Sequence, residues 1–156
     1  MSKKGLKFIG NCEGFRGKLY NDVSGNCTIG YGHLVHMGQC NGSEPIEFQK
    51  GINQDQALDL LREDASFAAD AVNGSGTVDL SQTQFDALDS FTFNVGSGTF
   101  RQSTLLRQLN AGQYAAVPSQ MMRFVYSGGR VRQSLVQRRQ AEGNLFSTGQ
   151  YGPCYE

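Results

Sequence analysis

Hydrophobic spacing along this chain changes period more than once, and the changes divide it into elements. Residues 5 to 14 read as a short apolar helix that carries Glu13 near its C-terminal end, with Gly14 and Gly17 opening the exit. The pattern then turns β-like. Leu19 and Tyr20, Cys27 to Ile29, and Tyr31 to Val35 are short runs separated by Asp22, Ser24, Gly25, Asn26 and Gly30, which is hairpin chemistry. A small sheet of about three strands is expected, with Gly25 and Gly30 serving tight turns. From Asn53, a candidate cap together with Asp55, the period becomes helical: Leu58, Leu61, Ala65, Ala68, Ala69 and Val72 recur three and four apart until Asn73-Gly74. That predicts one helix of roughly 20 residues. Ser81 with Gln84 forms a capping-box signature ahead of Phe85, Leu88, Phe91 and Val95. Ser103 caps a short helix through Leu109 that ends near Gly112, and residues 113 to 125 and 134 to 146 give two more helical segments with Gly128-Gly129 as the break. Pro118 fits the first of these only in an opening turn or at a kink.

Composition narrows the class. A chain of 156 residues with 38% apolar residues and 3 prolines is long enough for one compact core or for two lobes sharing a helix, and is not disordered. No apolar run approaches the roughly 20 residues that span a bilayer, so no membrane insertion is expected. The opening MSKKGLKFIGNCEG lacks the form of a secretory signal, so the protein is expected to be made in the cytoplasm without a signal peptide. Net charge is zero but unevenly spread: residues 1 to 90 carry 7 basic against 12 acidic side chains, and residues 91 to 156 carry 7 against 2. A basic face would attract an anionic polymer, or the two charges complement each other within the protein. Nucleic acid is not an expected partner, for there are no Lys runs, no zinc spacing and no RNA-binding signature. Two histidines and four cysteines without paired short spacings also argue against a metal site.

Candidate chemistry concentrates in EGFRGKLYNDVSGNCTIGYGH, from Glu13 to His33, which carries two carboxylates and one hydroxyl around a turn and a glycine-punctuated hairpin. Sugar hydrolysis needs one carboxyl group to protonate the leaving oxygen and a second to activate water or stabilise an oxocarbenium-like transition state. Glu13, at the end of an apolar helix, suits the acid if partial burial keeps it protonated. Asp22, in a polar, hydroxyl-rich turn, suits the base, or alternatively is an Asx-turn residue. Thr28 offers a hydroxyl on the second strand, or is a β-branched strand filler.

The whole string resembles the catalytic motif of the phage-type lysozymes, the family of bacteriophage endolysins and related muramidases. SFTFNVGSGTFRQSTLLRQLNAGQY, RFVYSGGR and SLVQRRQAEGNLF are similar to that family's helical motifs in the same order, while the loop from Cys40 to Gly51 has no clear match. The resemblance implies an α+β, two-lobed fold: residues 1 to 52 as a small lobe, 53 to 74 as a connecting helix and 75 to 156 as a helical lobe of one lysozyme domain. It implies cleavage of the β-1,4 bond between N-acetylmuramic acid and N-acetylglucosamine in peptidoglycan, without a cofactor, by Glu13 as acid and Asp22 with Thr28 directing water, with inversion at the anomeric carbon. It further implies that Arg138 or Arg139 partners Glu13, that His33 makes a structural contact to an acid, and that Leu34, Phe93 and Ser103 line the saccharide site, with Asn94 and Tyr31 as additions. His36 is expected to be exposed. Phe124 stands where the family commonly has Trp. A monomer is expected, acting in the periplasm or cell wall as a phage endolysin delivered through holin lesions, or as a bacterial effector delivered by a secretion machine.

Four cysteines permit two disulfides and three pairings. On a strand Cys27 points away from Thr28, and on a helix Cys12 is turned about 100° from Glu13, so neither need intrude on the site. The resemblance implies that the last segment folds back over the first helix, pairing Cys12 with Cys154 and leaving Cys27 for Cys40; in some family members a thiol near the site instead acts as a redox latch. A contrasting class, a lysozyme-like binding module or tail component, would keep the fold and lose a catalytic residue.

Overall fold

A computed structural model describes residues 1–155, which form two compact units: Glu13–Asp64, and Met1–Cys12 together with the chain from Ala65 onward. The first helix, α1 (Lys3–Glu13), starts two residues before the sequence expectation because Ser2 caps it, its Oγ accepting from the Gly5 amide at 3.0 Å. Gly5 is needed for close approach: a Cβ there would stand 2.5 Å from the Asp86 carboxyl carbon.

The smaller unit is an antiparallel sheet ordered β1 (Arg16–Asn21), β2 (Cys27–Gly30), β3 (His33–His36). The central strand is buried throughout while its neighbours are partly exposed. A one-turn helix, α2 (Ile46–Gln49), follows Pro45 in the loop beyond Cys40. Helix α3 (Gln54–Asp64) then packs against β2 and β3, burying Ala57, Leu58 and Leu61. Its start is fixed reciprocally, Asn53 Oδ1 accepting from the Gln56 amide and Gln56 Oε1 from the Asn53 amide.

The single long helix expected from residue 53 is two. Helix α3 stops at Asp64, Ala65 has ψ near zero (−2°), and α4 (Ser66–Ser75) follows. The apolar stripe runs unbroken through Ala65, so spacing could not reveal a one-residue break. Nor does Asn73-Gly74 end α4; the chain leaves the helix at Gly76, in extended conformation.

The larger unit continues with α5 (Gln82–Val95), α6 (Ser97–Arg101), α7 (Thr104–Asn110), a 3₁₀ turn at Tyr114–Ala116, α8 (Val117–Met121), β4 (Tyr126–Ser127), β5 (Arg130–Val131) and α9 (Gln133–Thr148). The Ser81/Gln84 capping box is present in full. Helix α5 packs against α4 and α9, and every residue from Asp86 to Thr92 is buried, which is why its polar positions need internal partners. Leu88, Phe91, Phe100, Leu105, Leu109, Met121 and Leu145 have no exposed surface. Truncating any of them to Ala would cost on the order of 2–5 kcal/mol. Phe124 meets Phe91 edge-on at 5.1 Å. Pro118 sits in the opening turn of α8, where its missing N–H is harmless. Gly128 and Gly129 do more than break a helix: both have positive φ and form the two-residue turn of the β4–β5 hairpin.

Two disulfides are present. Cys12–Cys154 ties the C-terminal tail to α1 across 142 positions, and Cys27–Cys40 staples the loop after β3 to the central strand across 13. Among the described residues no helix is long and apolar enough to cross a membrane.

Candidate active site

All three candidate catalytic residues, Glu13, Asp22 and Thr28, lie in the smaller unit. Helix α1 ends at Glu13 because Gly14 turns the chain away at φ +80°. Glu13 is exposed rather than partly buried as expected. The β2–β3 turn borders its carboxylate, since a Cβ added to Gly32 would stand 4.0 Å from Glu13 Oε2.

Asp22 occupies the β1–β2 turn, and its Oδ1 accepts from the amides of Ser24 and Asn26, each at 2.9 Å. The Asx-turn reading therefore holds structurally. It does not compete with a chemical role, because the two amides fix the direction of the carboxylate. Thr28 is buried on β2 and donates its hydroxyl proton to the Asn26 carbonyl at 2.9 Å. With the proton committed, its oxygen remains an acceptor for a water. Tyr20, opposite Thr28 on β1, lies in the field of both acids: burial raises its phenol first, the Arg16 guanidinium over its ring lowers it, and the Asp22 and Glu13 charges raise it again.

His33 Nδ1 meets Asp64 at 2.9 Å and its ring packs edge-on to Phe48, a supporting contact between β3 and the end of α3. Leu34, paired with Thr28 across the β2–β3 ladder, is 48% exposed. Tyr31 is half-buried against Phe15. His36 is half-buried and not exposed, because Glu44 reaches it at 2.5 Å from the loop stapled by Cys40. Glu44 also accepts from the amides of Asn41 and Gly42. These bonds, His36 foremost, hold its carboxyl at about 2, and hydrogen bonds to Met37 and Glu44 raise His36. Cys27, Cys40 and Glu44 cluster closely, but the two sulfurs are bonded to each other and offer no thiolate.

The remaining candidates lie in the larger unit. Arg138 and Arg139 are buried around Glu142, which accepts from Arg138 Nε at 3.2 Å, from Ser90 Oγ at 2.6 Å and from Arg139 Nη1. Arg139 also donates to the Phe124 carbonyl and to Asn94 Oδ1, and burial pulls its pKa down against the raising effect of Glu142. Asn94 thus has its carbonyl engaged and its amide nitrogen available, beside a groove of about 470 Å³ that Arg123, Tyr126 and Thr99 also line. Phe93 is half-buried, its ring 6.1 Å from Phe67. Ser103 is buried, with its hydroxyl donated to the Phe100 carbonyl and accepting from the Leu106 amide, so it serves as the cap of α7. Asn26, Glu142 and Tyr20 were not picked out by sequence reasoning. An Asn in a Ser-Gly-Asn turn signalled only loop chemistry, and Glu142 lay in a run already read as helix.

A carboxyl group at a helix end, a carboxylate aimed by a turn and a threonine oxygen with acceptor capacity to spare suit proton transfer and water delivery. The phage lysozyme family profile matches residues 10–142 of the chain. The chain belongs to the phage lysozyme family. It is 40% identical over 152 residues to the endolysin of Bacillus phage B103, covering 96% of this chain and 55% of that relative. It therefore spans about half the length of the Bacillus phage endolysins that it matches. Among solved structures it resembles the endolysin from Escherichia coli O157:H7 phage FAHEc1 (TM-score 0.83, 29% identity, covering 97% of this chain and 95% of that one). It also resembles the muramidase domain of SpmX from Asticaccaulis excentricus (TM-score 0.78, 33% identity, 94% and 97%). The small N-terminal sheet and mostly helical remainder are the fold of this family.

Proposed function

We propose that the chain is a muramidase, hydrolysing the β-1,4 bond between N-acetylmuramic acid and N-acetylglucosamine in peptidoglycan and so lysing bacterial walls. Glu13 protonates the leaving glycosidic oxygen. Asp22 and Thr28 hold and activate the attacking water, and the product anomer is inverted because water, not the carboxylate, attacks the far face of the sugar. The observation that carries this reading is the shared anchoring of Asp22 and Thr28 on Asn26 in the unit that also holds Glu13. The muramidase and endolysin relatives support the substrate class.

In this reading Leu34, Phe93 and Asn94 contact saccharide, His33 and the two arginines support the site, and Ser103 contributes through the cap of α7. The whole chain serves as one catalytic domain, needs no cofactor and works as a monomer. It is made in the cytoplasm and reaches the wall through holin lesions or a secretion machine.

Turbidity of permeabilised cells tests the proposal. The wild-type protein clears the suspension, and folded Glu13→Gln, which keeps the shape but cannot donate a proton, loses about 10²–10⁴-fold in rate. Comparable clearing by both proteins would remove Glu13 from the mechanism.

A further inference from the structure

The geometry points to Asn26 as a positioning residue that holds Asp22 and Thr28 in one frame and locks that frame to the loop stapled by Cys27–Cys40. This inference rests on the catalytic roles proposed for Asp22 and Thr28.

Three of the four hydrogen-bonding groups of Asn26 are engaged in one network. Its backbone N–H donates to Asp22 Oδ1 at 2.9 Å. Its carbonyl accepts from the Asp22 amide at 2.9 Å and from the Thr28 hydroxyl at 2.9 Å. Its side-chain Oδ1 accepts from the Gly38 amide at 2.9 Å. The next residue repeats the link, the Cys27 amide donating to the Gly38 carbonyl at 2.8 Å, and the Cys40 amide donates to Asn21 Oδ1 at 2.8 Å. Gly38 has φ +83°, a conformation that lets the chain return against Asn26.

The two peptide units that meet at the Asn26 Cα therefore fix the carboxylate and commit the threonine proton, so rotation of the backbone at that residue would misdirect both groups together. A turn at a strand end has few apolar contacts to prevent such rotation: Val23 and Ser24 are exposed. The Asn26 side chain supplies the restraint by tying the residue to Gly38, and the Cys27–Cys40 bridge restrains Gly38 in turn. A water held between a carboxylate and a hydroxyl is sensitive to such errors, because small misplacements of reacting groups carry large rate penalties.

Steady-state hydrolysis of soluble, uncrosslinked peptidoglycan strands at pH 7 by Asn26→Ala, Asn26→Asp and Asp22→Ala tests the inference. Asn26→Ala is expected to lose about tenfold in kcat with KM within about twofold. Asn26→Asp, which keeps the acceptor for Gly38, returns to within about threefold of wild type. Asp22→Ala is close to inactive. A kcat for Asn26→Ala within twofold of wild type, a loss confined to KM, or no recovery in Asn26→Asp overturns the positioning role. An Asp22→Ala protein with full activity instead removes the catalytic reading beneath it, so the two failures are distinguishable. If Asn26→Ala does not fold, amide exchange in the wild-type protein decides: the Asn26 and Gly38 amides should open together, and independent exchange overturns the inference.

Discussion

The two units hold their polar groups in opposite ways. In Glu13–Asp64 the bonds that direct Asp22, Thr28 and Glu44 come mainly from backbone groups two to four residues away. In the larger unit the partners are distant in sequence and wholly or partly buried: Ser90 with Glu142, Arg139 with Asn94 and Phe124, and Ser2 and Tyr151 with Asp86. A turn anchored on its own backbone can aim a side chain and leave acceptor capacity facing solvent. A buried network has to consume its donors and acceptors internally, and in doing so fixes how helices pack. Chemistry and stability should therefore be separable by substitution.

The largest expected contrast lies between the disulfides. Replacing Cys12 and Cys154 by Ser should cost about 5 kcal/mol and replacing Cys27 and Cys40 about 3 kcal/mol, because the longer loop leaves more chain entropy to the unfolded state. Denaturant melts of the two double variants check this, and equal losses would break the comparison. Next, Glu142→Gln should cost about 3–5 kcal/mol by removing the carboxylate that the two buried guanidiniums share. Asp22→Asn keeps the Oδ1 acceptor and should shift stability by only about 0.5 kcal/mol, while losing wall-lytic activity.

Two further effects are pH-dependent and opposite in sign. Asp89 is fully buried with both carboxylate oxygens unbonded, and burial raises its pKa to about 7, with the N-terminal ammonium opposing and Asp86 adding to the shift. Its folded value exceeds the unfolded value of 3.8, so the folded state binds the extra proton. That contribution is complete below the unfolded value and is lost as pH rises to about 7. Asp89→Asn should therefore raise the melting temperature at pH 8 more than at pH 4, and a constant difference would count against it. Glu44 runs the other way: its contribution is complete above 4.5 and disappears as pH falls through about 2. Glu44→Gln should therefore lower the melting temperature at pH 6 more than at pH 2, flattening the acid limb of the stability curve, and an equal loss at both pH values would count against it.

What the sequence disclosed follows the same division. The turn at Asp22, the three strands and the Ser81/Gln84 cap depend on near neighbours, and turn and capping chemistry read them directly. The Glu142 network, the orphaned oxygens of Asp89 and the pairing of His36 with Glu44 depend on residues brought together only by folding, so nothing local marks them. The break at Ala65 was hidden for another reason: alanine accommodates both the helix and the interruption. Cysteine count alone left three pairings open, and family resemblance, not spacing, separated them.

Product analysis of purified peptidoglycan digested by the wild-type protein tests the central claim most directly. The account predicts new reducing ends on N-acetylmuramic acid, with the first-formed anomer inverted in NMR spectra of fresh digests. Reducing ends on N-acetylglucosamine, release of free peptides without new reducing sugar, or a retained anomer would contradict it.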